Sequence, residues 1–126
     1  MFYTDAGTWD NGTSRQRSVL AVWDSRAQGI VIHEELPDTT NNEAEYAAII
    51  AALELARHDR LTGIRIRSDS QLCVRQINGQ YQVKEERLRP LRDRAARLLK
   101  EVRGTIDWVP RGQNYAGIFL EKKYKR

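Results

Sequence analysis

Residues Asn42 to Arg57 read NEAEYAAIIAALELAR, a run rich in alanine, leucine and isoleucine that neither proline nor glycine interrupts. Alanine and leucine are strong helix formers, and Glu45, Ile49, Ala52, Leu53 and Ala56 fall along one stripe at helical spacing. A helix with such a stripe has to bury it against another layer of structure.

The preceding residues predict that layer. Phe2 to Asp5 reads as a short strand, Thr8 to Thr13 as a polar turn carrying Asn11-Gly12, and Ser18 to Trp23 as a second strand of β-branched and apolar residues. Asp24 to Gly29 makes the next turn and Gly29 to Leu36 a third strand, after which Pro37-Asp38 and Thr39 to Asn42 stop the pairing and start the helix. Connections this short make the three strands antiparallel.

Beyond the helix, Ile64 to Asp69 alternates like a strand, and Ser70 to Asn78 reads as a short helix closed by Gly79. Leu88, Leu91, Ala95, Leu98 and Val102 then step by 3, 4, 3 and 4, the seam of a helix from Arg87 to Arg103 whose arginines face outward. Gly104 ends it, Thr105 to Val109 is a fifth strand, Pro110 to Gln113 a loop, and Asn114 caps a last helix running into Lys122 to Arg126. The order βββαβααβα predicts an α/β fold: a five-stranded mixed sheet flanked by helices.

A chain of 126 residues suits one domain spanning 1–126. At 40% hydrophobic and 30% charged it is too apolar for a disordered chain, and no apolar run approaches the roughly 20 residues of a membrane span. Met1 to Asp5 has no basic stretch leading into an apolar core, so the expected compartment is the cytoplasm. Cys73 is the lone cysteine, which excludes an internal disulfide, and with only His33 and His58 beside it a zinc site of nitrogen and sulfur ligands is excluded as well. Any metal has to be held by carboxylates.

The formal net charge of +4 is concentrated: residues 82–103 carry eight basic and four acidic side chains, the remainder being balanced. Such a stripe suits a polyanion, and equally the solvated face of a helix.

Asp5, Glu45 and Asp69 fall at predicted element ends. Glu45 lies three residues after Asn42, the spacing of a capping box, and Asp69 stands where it can cap the helix after it. Asp5 has less of a structural role to play, because aspartate is depleted in strands. Three carboxylates gathered together repel unless a divalent cation lies among them, and oxygen-rich sites of that kind suit magnesium or manganese and phosphoryl chemistry.

Four stretches then resemble type 1 ribonuclease H: Tyr3-Thr4-Asp5-Ala6-Gly7, Thr39-Thr40-Asn41-Asn42-Glu43-Ala44-Glu45-Tyr46, Arg67-Ser68-Asp69-Ser70-Gln71, and Trp108-Val109-Pro110-Arg111-Gly112-Gln113-Asn114. Their order spans nearly the whole chain, and Asn78 to Lys84 looks like the short members without a basic handle helix. The resemblance implies a ribonuclease H-like fold and a metal-dependent endonuclease that hydrolyses the RNA strand of RNA/DNA hybrids. Asp5, Glu45 and Asp69 would be the catalytic residues and would hold two ions, Mg2+ or Mn2+. Asn41, Asn42 and Gln71 would contact the hybrid in its minor groove, where 2′-hydroxyls mark the RNA, with Thr40, Tyr81, Arg92 and Arg94 as further substrate-binding candidates. For Asn41 and Asn42 the competing role is capping and turn formation. The expected partner is hybrid nucleic acid, with no membrane and a monomeric chain.

The family pattern breaks at the last helix, where relatives carry a fourth carboxylate and this chain has Ile118. Asn114 and Glu121, each about one turn away, are the candidate replacements; a helix cap and a solvated side chain are their other roles. A binding module that has lost turnover with that carboxylate is the alternative function. Cys73 is expected to be a buried small hydrophobe, and Trp9, Trp23 and Trp108 to pack.

Overall fold

The computed structural model describes residues 1–9 and 17–124. Five strands, β1 (Phe2–Trp9), β2 (Arg17–Asp24), β3 (Gly29–Leu36), β4 (Arg65–Ser68) and β5 (Thr105–Trp108), form one sheet in the order β3-β2-β1-β4-β5. The helices are α1 (Asn41–His58), α2 (Gln71–Ile77), α3 (Arg89–Glu101) and α4 (Tyr115–Tyr124). β1 runs antiparallel to β2 and parallel to β4, which is parallel to β5, so the sheet is mixed as expected.

Both faces of the sheet are covered. Phe2, Val22, Ile66 and Ile106 pack against Ile49 and Leu53 of α1, Cys73 and Val74 of α2, and Leu98 of α3. On the opposite face Tyr3, Val19, Ala21 and Val109 meet Ala116 and Leu120 of α4. The alternation of Phe2 and Tyr3 between these two clusters is the period of two that a strand imposes.

Several boundaries differ from the sequence expectation. β1 does not stop at Asp5; it continues to Trp9 because Ala6, Gly7, Thr8 and Trp9 pair with Leu20, Val19, Ser18 and Arg17. Thr8 and Trp9 are therefore strand, while the expected turn at Asn11-Gly12 lies outside the described residues. Thr40, not Asn42, caps α1: its hydroxyl accepts from the Glu43 N–H at 3.2 Å and the Glu43 carboxylate takes the Thr40 N–H at 3.0 Å. That backbone bond holds the Glu43 carboxyl below its ordinary range, and the capping box it completes leaves Glu45 out of the cap. α3 begins at Arg89, after a 3-10 turn at Glu86–Leu88, because Pro90 lacks an N–H and is accommodated in the first helical turn.

Candidate active site

Sheet register brings the first two carboxylates together. Parallel pairing runs Phe2 to Ile66, Tyr3 to Arg67 and Thr4 to Ser68, so Asp5 and Asp69 are the next residues along the two adjacent segments. Asp5 is mid-strand and 1% exposed. Asp69 follows the end of β4, and three backbone anchors surround it. The Trp108 indole donates to the Asp69 carbonyl at 3.1 Å, the Val109 N–H to the Ser68 carbonyl at 2.9 Å, and the Ser70 N–H to the Ser68 hydroxyl at 3.0 Å. Ser70, rather than Asp69, caps α2, accepting from the Cys73 N–H at 3.2 Å. The capping roles open to Asp69 and Glu45 in the sequence are thus filled by their neighbours.

The third carboxylate comes from α1. β4 ends at Ser68 while β1 continues, and the Ala6 N–H of β1 donates to Glu45 Oε1 at 2.9 Å. Tyr46, the next residue, donates its buried hydroxyl to Gln76 Oε1 at 2.6 Å, tying α1 to α2 and hence Glu45 to the segment that begins at Asp69. Burial pushes the Tyr46 hydroxyl well above its usual range, so it remains a donor.

One carboxylate oxygen from each of Asp5, Glu45 and Asp69 lies within 4.8 Å of the other two. At that separation each charged pair repels by about 3 kcal/mol at an effective dielectric near 20. A set of three hard oxygen donors at this spacing fits a divalent cation of the magnesium or manganese type.

The last helix starts against this cluster. Asn114 is fully buried; its Nδ2 donates to the Thr4 carbonyl at 2.9 Å and its Oδ1 accepts from the N–H groups of Ala116 and Gly117 at 3.1 and 3.3 Å. The side chain is a helix cap and a tether to β1, with its oxygen directed at α4. Gly117 comes so close to Asp5 that a Cβ there would lie 3.2 Å from Asp5 Oδ2. Ile118 lines an apolar groove with Trp23, Ile30, Tyr115 and Phe119, and Glu121 sits 3.7 Å from Arg111 Nε. Removing the double tether leaves the Thr4 carbonyl and two helix N–H groups without their partner, so Asn114→Ala is expected to cost about 2–3 kcal/mol, read as a fall in thermal midpoint.

The remaining sequence candidates are dispersed. Thr40 and Asn41 line a small polar pocket of about 230 Å3 with Thr8, Asp38 and Arg87. Asn42 is half-buried in the first turn of α1, and Gln71 is exposed at the start of α2. Tyr81 and Arg92 share a groove beside α3, whereas Arg94 is turned to α1 and ion-paired with Glu54. Arg87 beside Asn41 was visible in sequence only as one member of the basic run. Trp108 does not pack as expected; it is 44% exposed and spends its indole N–H on Asp69. Cys73 is fully buried, and burial pushes its thiol up to about 12, which removes it as a nucleophile.

A protein family described as reverse transcriptase-like matches residues 4–120. The crystal structure of ribonuclease H1 from Halobacterium salinarum superposes with a TM-score of 0.73 at 30% identity, covering 99% of this chain and 97% of that one. The chain belongs to the type 1 ribonuclease H family. A ribonuclease H1 isolated from compost, solved in complex with an RNA/DNA hybrid, matches at 31% identity and a TM-score of 0.69 over 90% of this chain and 87% of that one. Ribonuclease HI of Halobacterium salinarum is 44% identical over 79 residues, which are 60% of this chain and 38% of that relative. The chain therefore matches well under half the length of that curated relative. Among the described residues, no helix of this ribonuclease H-family chain is long and apolar enough to cross a membrane.

Proposed function

We propose that this chain is a metal-dependent endonuclease that hydrolyses the RNA strand of RNA/DNA hybrids, acting as a monomer with residues 1–126 as one catalytic domain. The observation that carries the reading is the gathering of Asp5, Glu45 and Asp69, with one oxygen of each within 4.8 Å of the others. These three residues would hold two divalent cations, Mg2+ or Mn2+, which supply an activated water and stabilise the departing oxygen of the cleaved phosphodiester. Asp5 contributes from a rigid central strand, Glu45 from a helix held by the Tyr46–Gln76 bond, and Asp69 from a segment anchored by Trp108. Rigid mounting of this kind keeps reacting groups in place without further ordering at the moment of reaction. Thr40, Asn41, Asn42 and Gln71, at the N-terminal ends of α1 and α2, present amide and hydroxyl groups able to read the 2′-hydroxyls of the RNA strand.

The second reading is a hybrid-binding module with impaired turnover, favoured by the isoleucine at 118 and by the two hydrogen bonds already taken by the Asn114 oxygen. Incubation with end-labelled RNA/DNA hybrid, RNA/RNA and DNA/DNA duplexes separates the readings. Cleavage of the hybrid alone supports the nuclease, whereas binding without cleavage supports the module.

Charge on the α3 side of the molecule makes binding salt-dependent. Arg87 adjoins Asn41, whereas Arg92 is ion-paired with Asp93 and Arg94 with Glu54. Replacing Arg87 by alanine is expected to reduce the slope of log affinity against log salt by about one. Arg94→Ala is expected to change it by less, as fluorescence anisotropy across a salt series would show.

A further inference from the structure

Away from the carboxylates, two grooves beside α3 share a single wall made of Gln80, Tyr81 and Gln82. The first, about 550 Å3, has Leu72 and Leu88 as apolar lining together with Gln76, which is 3% exposed, and the charged side chains of Lys84 and Glu85. Tyr46 holds the carbonyl oxygen of Gln76, so the amide NH2 is the group that this side chain can offer to the groove. The second, about 790 Å3, is lined by Arg89 and Arg92 with Val83 and Asp93, and Arg92 Nε donates to Asp93 Oδ1 at 2.8 Å. Arg89 Nε donates to the Val83 carbonyl at 3.2 Å, which fixes that guanidinium at the groove.

The shared wall is itself ordered. Gly79 turns the chain at the end of α2 with φ +76, a conformation that favours glycine, and the N–H groups of Gln80 and Tyr81 both donate to the Arg75 carbonyl, at 2.8 and 3.2 Å. The Arg75 guanidinium lies 5.2 Å from the centre of the Tyr81 ring, yet Tyr81 remains 43% exposed. The wall thus sets an exposed, preoriented aromatic ring between an amide donor with leucine side chains on one side and two guanidinium groups on the other.

The geometry points to a nucleotide subsite. An unstacked base enters the Leu72, Leu88 and Gln76 groove against Tyr81, with a base carbonyl or ring nitrogen accepting from the Gln76 amide. The attached phosphate lies on the Arg89 and Arg92 side of the wall. Stacking tolerates any base, the amide selects for an acceptor edge, and the arginines supply the charge that a neutral aromatic ligand would not need. The ligand has two possible sources, a single-stranded extension of a nucleic acid or a free nucleotide. The subsite rests on the reading above only for the first of these.

The test uses the full chain with 15N-labelled glutamine amides and 13C-labelled leucine methyls, titrated separately with the tetranucleotide dT4, with thymidine monophosphate and with inorganic phosphate. Saturable shifts are expected at the Gln76 amide and the Leu72 and Leu88 methyls with dT4, with Tyr81→Ala weakening the apparent Kd roughly tenfold and Tyr81→Trp retaining it. Thymidine monophosphate acting as well as dT4 identifies a free nucleotide as the ligand; dT4 acting alone identifies a single-stranded extension. The proposal is overturned if these resonances do not move, if inorganic phosphate moves them equally, or if Tyr81→Ala binds as tightly as the parent. Because no cleavage is read, the shifts test the subsite by itself, and the hybrid-cleavage assay tests the nuclease reading separately.

Discussion

Asp69→Asn is expected to lower hybrid cleavage by at least ~10³-fold while the chain remains folded and still binds hybrid. The side chain supplies one of the three oxygens gathered within 4.8 Å, and replacing a charged ligand by a neutral amide removes a third of the negative charge that would hold the cations. The local backbone does not depend on that charge. Trp108 bonds the Asp69 carbonyl, Val109 bonds Ser68, and Ser70 caps α2. Loss of one negative charge also relieves repulsion with Asp5 and Glu45, so the thermal midpoint is expected to stay level or rise slightly. Hybrid affinity measured without divalent cations is expected to stay within about twofold, since phosphate contacts supply most of it. A variant that cuts at the parent rate would remove Asp69 from the metal site; one that unfolds would make its carboxylate structural.

Gly117→Ala is expected to slow cleavage by about threefold to tenfold without lowering stability. A methyl group at this position meets Asp5 Oδ2 at 3.2 Å and its Cγ at 3.5 Å. Either α4 moves or Asp5 gives way by a few tenths of an ångström. α4 is held by the Asn114 tether to Thr4 and by the buried Ala116 and Leu120, so Asp5 is the group that shifts. Displacements near 1 Å in reacting geometry cost on the order of a hundredfold, so a few tenths of an ångström cost about threefold to tenfold. Alanine meanwhile favours the helix over glycine by up to about 1 kcal/mol, which offsets the contact. A fall in kcat with an unchanged melting curve is the signature; an unchanged kcat would show that α4 yields instead.

The element order was readable because each segment announces itself locally. The Ala and Leu stripe of α1, the alternation of Ile64 to Ser68 and the 3-4 stepping of Leu88 to Val102 need no knowledge of partners. The carboxylates could be named as a group from the motifs around them, but the register that sets Asp5 beside Asp69 is a long-range pairing that neither segment encodes alone. For the same reason the sequence could not show β1 running on to Trp9 against Arg17, or α3 starting at Arg89 rather than Arg87. The α1 cap moved from Asn42 to Thr40 because two local patterns compete there, Asn42 with Glu45 and Thr40 with Glu43, and only the second satisfies both backbone donors. The roles of Gly117, against Asp5, and Trp108, on the Asp69 carbonyl, depend on tertiary placement and had no local signal. Arg94 looked like every other arginine of its helix until Glu54 came opposite it.

The most direct test of the central claim is cleavage of an end-labelled RNA/DNA hybrid by the full chain, run in chelator, in magnesium and in manganese. Metal-dependent hydrolysis at the carboxylate cluster predicts no cleavage in chelator and saturable, RNA-strand cleavage in at least one of the two cations. Hybrid that stays bound but uncut in both would contradict it, leaving a fold that has kept Asp5, Glu45 and Asp69 together without the chemistry they are arranged to perform.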